Sequence, residues 1–167
     1  MPAPVSWQPV LLGGLFKLNG RGSWARTERR EEGMAEVERR AAEYGLPPIR
    51  WPDGWPSNYL TAMRAATWAQ RQGAVRAFAV AATRRGFVHG RDLAVVDEVL
   101  AAVQDAALDR DEAAAAIADP AIKLALREAT EAAHARGVFG VPTIAVGGEL
   151  FWGDDRLEEA AAARKIR

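Results

Sequence analysis

The stretch Gly137–Arg156, GVFGVPTIAVGGELFWGDDR, decides the fold. Two runs rich in β-branched, aliphatic and aromatic residues, Thr143 to Val146 and Glu149 to Trp152, flank the pair Gly147-Gly148. Such a two-glycine link predicts a hairpin, because both turn positions call for positive φ. Pro142 stands at the entrance. Proline cannot donate to a ladder, so by itself it reads as the start of an edge strand. The stretch closes on Asp154 and Asp155, and Asp154 is expected to cap a final helix over residues 155–163.

Upstream, Asp119 and Pro120 open a long helix that presents Ile122, Ala125, Leu126, Ala129 and Ala133 on one side and stops at Gly137. Asp109 or Asp111 starts a short helix before it, and Asp92 caps another in which Leu93, Val96, Leu100 and Val103 recur at helical spacing. Ser57 is the expected cap for a helix carrying Leu60 and Met63. Gly73 and Gly86 bound the next, with Val75, Phe78, Ala79 and Ala82. Thr27 opens a helix with Met34, Val37, Ala41 and Tyr44 on one face, ended by Gly45 and Pro47-Pro48. Residues 27–136 therefore read as helical, apart from the aromatic, turn-forming loop Ile49–Asn58. At the N-terminal end, Val5 to Leu12 reads as a buried strand with Pro9 at an edge, broken by Gly13 and Gly14. A strand, a helical block, a hairpin and a terminal helix make an α/β architecture with a helical insertion.

At 167 residues the chain is the size of one domain with an insertion, and 49% apolar with 26% charged residues is the composition of an ordinary globular protein. Lysine plus arginine equals aspartate plus glutamate at 22 each, which gives no electrostatic footprint for nucleic acid or an anionic membrane, so the expected ligand is a small molecule. The absence of cysteine excludes disulfides and thiol chemistry by these residues themselves. His89 and His134 have no ligand-like spacing, and no metal site is expected. No apolar run reaches membrane-spanning length and the first residues lack a basic-then-apolar leader pattern, so a cytoplasmic protein is expected.

The pattern G-V-x-G-V-P-T, the glycine hairpin and F-W-G-D-D-R together resemble the C-terminal half of the DsbA-like thioredoxin fold, in the branch of 2-hydroxychromene-2-carboxylate isomerases and kappa-class glutathione transferases. Trp7 to Lys17, WQPVLLGGLFK, looks like that branch's second strand and the loop after it. The resemblance covers essentially the whole chain. It implies a thioredoxin-like part over residues 1–26 and 137–167, an all-helical insertion over 27–136, and a fold lacking the first strand and helix, since those elements lie before the second strand. It also implies that Met1 is an internal or miscalled start. The segment that carries the family's nucleophile, within a pattern such as D-x-x-S-P, finds no match at Ser6, Ser23 or Ser57, so no catalytic residue is assigned.

Glutathione is the cofactor that this resemblance implies. The resemblance implies a cis bond between Val141 and Pro142, which turns the chain and bares the main chain before it, so that Val141 would pair through its N–H and C=O with the extended tripeptide. A helix start at Gly153, Asp154 and Asp155, beside Trp152, would suit the γ-glutamyl end, with Asp155 on its ammonium. Asp154 is also an ordinary cap, and Arg156 is expected to pair with an acidic neighbour. Lys17 and Asn19 match a lysine and an amide that contact glutathione in relatives, although a solvated lysine is the commoner fate. Asn58, in W-P-S-N-Y-L, either lines the groove or serves the helix cap. Trp51, Trp55 and Trp152 either line an apolar substrate pocket or pack in the core.

The implied function is a glutathione-dependent isomerase or transferase acting on a small aromatic or electrophilic compound. The branch's carboxylate-holding arginines are replaced by Ala62 and Met63, with Arg64 one step along, which argues against the chromene carboxylate itself. Two alternatives stand: a non-catalytic DsbA-like peptide-binding module, or a disulfide oxidoreductase whose cysteines come from an upstream segment. Relatives commonly form homodimers.

Overall fold

A computed structural model describes residues 5–165. The chain divides into two compact units, one formed by residues 1–9 and 23–126, the other by residues 10–22 and 127–167. Among the described residues no helix is long and apolar enough to cross a membrane.

The first unit is helical. It holds α2 (Arg30–Glu43), α3 (Leu60–Arg71), α4 (Val75–Phe87), α5 (Val96–Asp105), α6 (Arg110–Ala118) and the first part of α7 (Pro120–Ala135). Its core is Phe78, Trp68, Leu93, Val99, Leu100, Val103 and Ile122, filled in by Ala62, Ala65, Ala69, Ala102 and Ala113. Alanine at these positions leaves little side chain between neighbouring helices, so α3 packs closely against α4, α5 and α6. The aspartates act largely as the sequence indicates. The Asp109 carboxylate accepts the N–H groups of Asp111 and Glu112, both at 2.8 Å, and Asp119 accepts that of Ala121 at the same distance. Arg85 ties α4 to α5, donating to Glu98 at 2.9 Å and to Asp105 at 2.8 Å.

Four boundaries in this unit differ from expectation. The first helix starts at Arg30, because Trp24–Arg26 wind as a 3-10 turn that Thr27 closes by donating its hydroxyl to the Trp24 carbonyl. The cap of α3 falls to Asn58, whose Oδ1 accepts the Leu60 N–H at 3.0 Å, and not to Ser57. Gly86 lies buried in the last turn of α4 instead of beyond it. Asp92 accepts the Ala94 N–H in a turn of its own, several residues before α5 begins at Val96.

The second unit holds α1 (Leu12–Leu18), the rest of α7, the strands β1 (Thr143–Val146) and β2 (Glu149–Trp152), and α8 (Leu157–Lys165). The strand expected over Val5 to Leu12 is not formed. Residues 5–11 have no regular structure, Val5 and Trp7 are exposed, and Gly13 and Gly14 lie inside α1. A strand needs a ladder partner for its main-chain groups, and among the described residues the sheet contains only β1 and β2. The Leu11 N–H is met instead by the buried Thr130 hydroxyl of α7 at 3.0 Å. Gly14 makes the approach possible, since a methyl group there would sit only 3.0 Å from Thr130 Cγ2.

The hairpin has the expected bounds. β1 and β2 pair antiparallel from Thr143 opposite Trp152 to Val146 opposite Glu149, and Gly147 and Gly148 turn at φ +54° and +94°. Phe151 is fully buried, and Ala160 of α8, which packs on the hairpin, is buried as well. A 3-10 turn, Asp154–Arg156, precedes α8, and the residue before it is Gly153. Asp154 thus stands inside the turn and not at the capping position.

Candidate functional site

The two-residue turn fixes which main-chain groups of β1 face its partner. In such a hairpin the residues flanking the turn, Val146 and Glu149, form a hydrogen-bonded pair, and bonded pairs recur at every second residue. Ile144 with Phe151 is the next, and Pro142 with Gly153 continues the series: the Gly153 N–H donates to the Pro142 carbonyl at 3.0 Å. Val141, Thr143 and Ala145 therefore turn their N–H and C=O groups away from β2. Among the described residues no strand and no loop main chain meets that row. The Val141–Pro142 peptide is cis, as is Trp55–Pro56 in the first unit.

The bond from Gly153 to Pro142 brings Val141 beside the aspartate pair. Asp155 is exposed, and its carboxylate folds back on Gly153, where φ is +101° and an added methyl group would overlap Asp155 Oδ1. Asp154 is half-buried. The 3-10 turn and α8 begin here, so the positive end of the helix dipole lies next to two carboxylates. Arg156 pairs with Glu159 as expected, through Nε at 2.7 Å and a terminal nitrogen at 2.5 Å. The guanidinium holds the Glu159 carboxyl below its usual range, and the Arg156 pKa is raised in return.

Trp152 is half exposed and lies over Gly140, with the Phe139 ring at 5.0 Å. Together with Val138, Thr143, Leu150 and Arg156 these two rings line a cleft of about 150 Å³, and the Arg21 guanidinium sits 5.5 Å from the centre of the Phe139 ring. Lys17 is exposed in the last turn of α1, in this same unit. Asn19 caps α1, its amide donating to the Leu15 carbonyl at 2.8 Å.

Asn58 and Trp51 lie in the other unit. Asn58 serves the α3 cap described above. Trp51 donates its indole N–H to Glu38 at 2.6 Å and packs against Trp55 with centroids 4.4 Å apart and the rings tilted by 51°, while Trp24 lies 5.6 Å from Trp55. Next to Asn58, burial pushes the Tyr59 hydroxyl above the usual tyrosine range and Asp92 adds to the effect. The structure thus gathers Lys17, Asn19, Val141, Pro142, Trp152, Gly153, Asp154 and Asp155 in one unit and sets Asn58 and Trp51 in the other. Sequence reasoning passed over Thr143 and Ala145, although the parity of a two-glycine hairpin already points their main chain outward.

Residues 2–164 match the DSBA-like thioredoxin domain. The chain belongs to this family. Its fold is the DsbA-like thioredoxin fold, mostly helical with a small two-stranded sheet. Over 125 residues the chain is 34% identical to 2-hydroxychromene-2-carboxylate isomerase of Sphingobium xenophagum, an alignment that covers 75% of this chain and 63% of that relative. The chain thus spans less than two thirds of the length of the curated relative that it matches. The solved structure of a selenomethionine 2-hydroxychromene-2-carboxylate isomerase shares the fold with a TM-score of 0.79 at 24% identity, covering 95% of this chain and 79% of that one.

Proposed function

We propose that this DsbA-family chain serves a glutathione-dependent isomerase or transferase of the 2-hydroxychromene-2-carboxylate isomerase type, acting on a small aromatic or electrophilic compound. The observation that carries the reading is the 34% identity over 125 residues to an isomerase of that name. Glutathione dependence draws its support from the outward row at Val141 and from the carboxylates beside it.

The residues fit the tripeptide. Its extended main chain finds a donor and an acceptor at Val141, both unused within the hairpin. Asp155, exposed and next to the start of α8, suits the γ-glutamyl ammonium, while the positive end of that helix suits the neighbouring carboxylate. The Lys17 ammonium suits the glycyl carboxylate, and Asn19 retains its side-chain carbonyl as an acceptor. Bound glutathione supplies a thiol. The chain's own residues hold it at both charged ends and along its middle, which fixes the thiol relative to the second substrate.

Calorimetric titration of the chain with reduced glutathione tests the proposal. Saturable binding is expected, weakened about tenfold, or 1.4 kcal/mol, by Asp155→Ala and less by Lys17→Ala, whose contribution should shrink with added salt. Absence of binding, or binding that Asp155→Ala leaves unchanged, overturns it.

A further inference from the structure

We propose that Asn19 and Gly20 form a self-modification site, at which the Gly20 nitrogen attacks the Asn19 side-chain amide and converts residue 19 into a carboxylate. The inference does not depend on the glutathione reading. It rests on an asparagine–glycine pair set at the open end of α1, between two exposed cations.

This pair differs from the chain's other asparagine, Asn58, in the features that govern such a reaction. Gly20 is exposed, and a methyl group added there would meet no atom within 4 Å, so no side chain crowds the attacking residue. Its N–H donates to the Lys17 carbonyl at 3.3 Å, long for such a bond. Lys17 and Arg21 are both exposed, and no acidic residue occurs between Val5 and Thr27. The local charge therefore favours the deprotonated nitrogen and the oxyanion that its attack creates. Asn58, by contrast, precedes Tyr59, whose half-buried ring packs against the helical core and whose backbone leads straight into α3.

The brake is conformational. Asn19 has a ψ of 0°, and its amide donates to the Leu15 carbonyl at 2.8 Å. Attack requires rotation about the Asn19 Cα–C bond and loss of that hydrogen bond. With only seven residues in α1, opening of its last turn is a local event, and Gly20, at φ +62°, has the backbone freedom to follow it.

The step needs only water. The Gly20 nitrogen bonds to Asn19 Cγ and closes a five-membered imide, while the side-chain nitrogen leaves as ammonia and carries off the displaced proton. Water then adds to either ring carbonyl and breaks its bond to the Gly20 nitrogen, which gives aspartate or isoaspartate. A carboxylate at this position cannot donate to Leu15, and it stands at the end of a helix where the dipole disfavours negative charge. On the glutathione reading, the new charge would also repel the glycyl carboxylate expected at Lys17.

Incubation of the whole 167-residue chain in warm, mildly alkaline buffer, with peptide mapping by mass spectrometry at intervals, tests the proposal. Residue 19 should convert to a mixture of aspartate and isoaspartate at least about tenfold faster than Asn58 reacts. Asn19→Gln keeps the amide but lengthens the ring to be closed, and should show no conversion at that position over the same interval. In the converted fraction, hydrogen exchange at the backbone amides of Leu18 and residue 19 should quicken. An Asn19 that stays intact, equal rates at the two asparagines, or aspartate formed without isoaspartate would each overturn the inference.

Discussion

The two units of this chain solve the same problem of main-chain hydrogen bonding in opposite ways. In the first, α3 to α6 satisfy their backbone internally, and side-chain caps such as Asp109 and Asp119 take up part of what the helix ends leave over. In the second, the hairpin satisfies one side of β1 and leaves the row at Val141, Thr143 and Ala145 facing outward. The lesson is that a helical block can be stable and chemically quiet, whereas a two-stranded sheet keeps unused bonding capacity along an edge. The residues proposed to hold a ligand belong to the unit with that capacity.

Substitutions in each unit sharpen this contrast. The largest loss is expected from emptying either core: Phe78→Ala in the helical unit and Phe151→Ala under the hairpin each remove a fully buried ring. About 3 to 5 kcal/mol of stability should be lost in each case, measured by urea denaturation, with hydrogen exchange assigning the loss to one unit or the other. Gly33→Ala comes next, because its methyl group would overlap the Trp24 ring that lies against α2. A cost of about 1 to 3 kcal/mol is expected, with a lowered Tm and altered tryptophan fluorescence. An unchanged Tm would show that Trp24 is free to move away.

Asp109→Ala deletes both cap bonds at the start of α6 and should cost about 1 kcal/mol in the same denaturation assay. The smallest effect concerns pH. The Glu159 pKa is lowered in the folded chain by Arg156, so the pair stabilises the fold above the ordinary carboxyl pKa of about 4.5, and that contribution is lost as pH falls through the lowered folded value. Both groups are exposed, so Glu159→Gln should flatten only slightly the acid limb of a stability-versus-pH curve, and added salt should shrink the difference. A large change there would mean that the end of the hairpin depends on this ion pair far more than its exposure indicates.

Much of this was legible in the residues, for reasons that differ along the chain. The hairpin bounds followed from two glycines between two apolar runs, a local signal that tertiary context did not override. The α6 and α7 starts followed from Asp109 and Asp119 for the same reason. Val5 to Leu12 misled because an apolar run reads as a buried strand, whereas forming one needs a ladder partner that no local pattern reveals, and residues 5–11 take no regular structure. Gly13 and Gly14 read as breakers, whereas Gly14 serves the close approach of α1 to Thr130. In the candidate site, the residue types at Val141, Asp154 and Asp155 were readable. The fold-back of Asp155 on Gly153 and the use of the Asn19 amide by its own helix were not, since each depends on side-chain direction.

The aromatic loop of the helical unit gives the molecule an internal optical label. Trp24, Trp51 and Trp55 lie with adjacent rings 5.6 Å and 4.4 Å apart, near enough for their excited states to couple. Trp152 packs at a tilt against Phe139 in the other unit. An exciton band in circular dichroism would therefore report on the first unit alone, without any added dye.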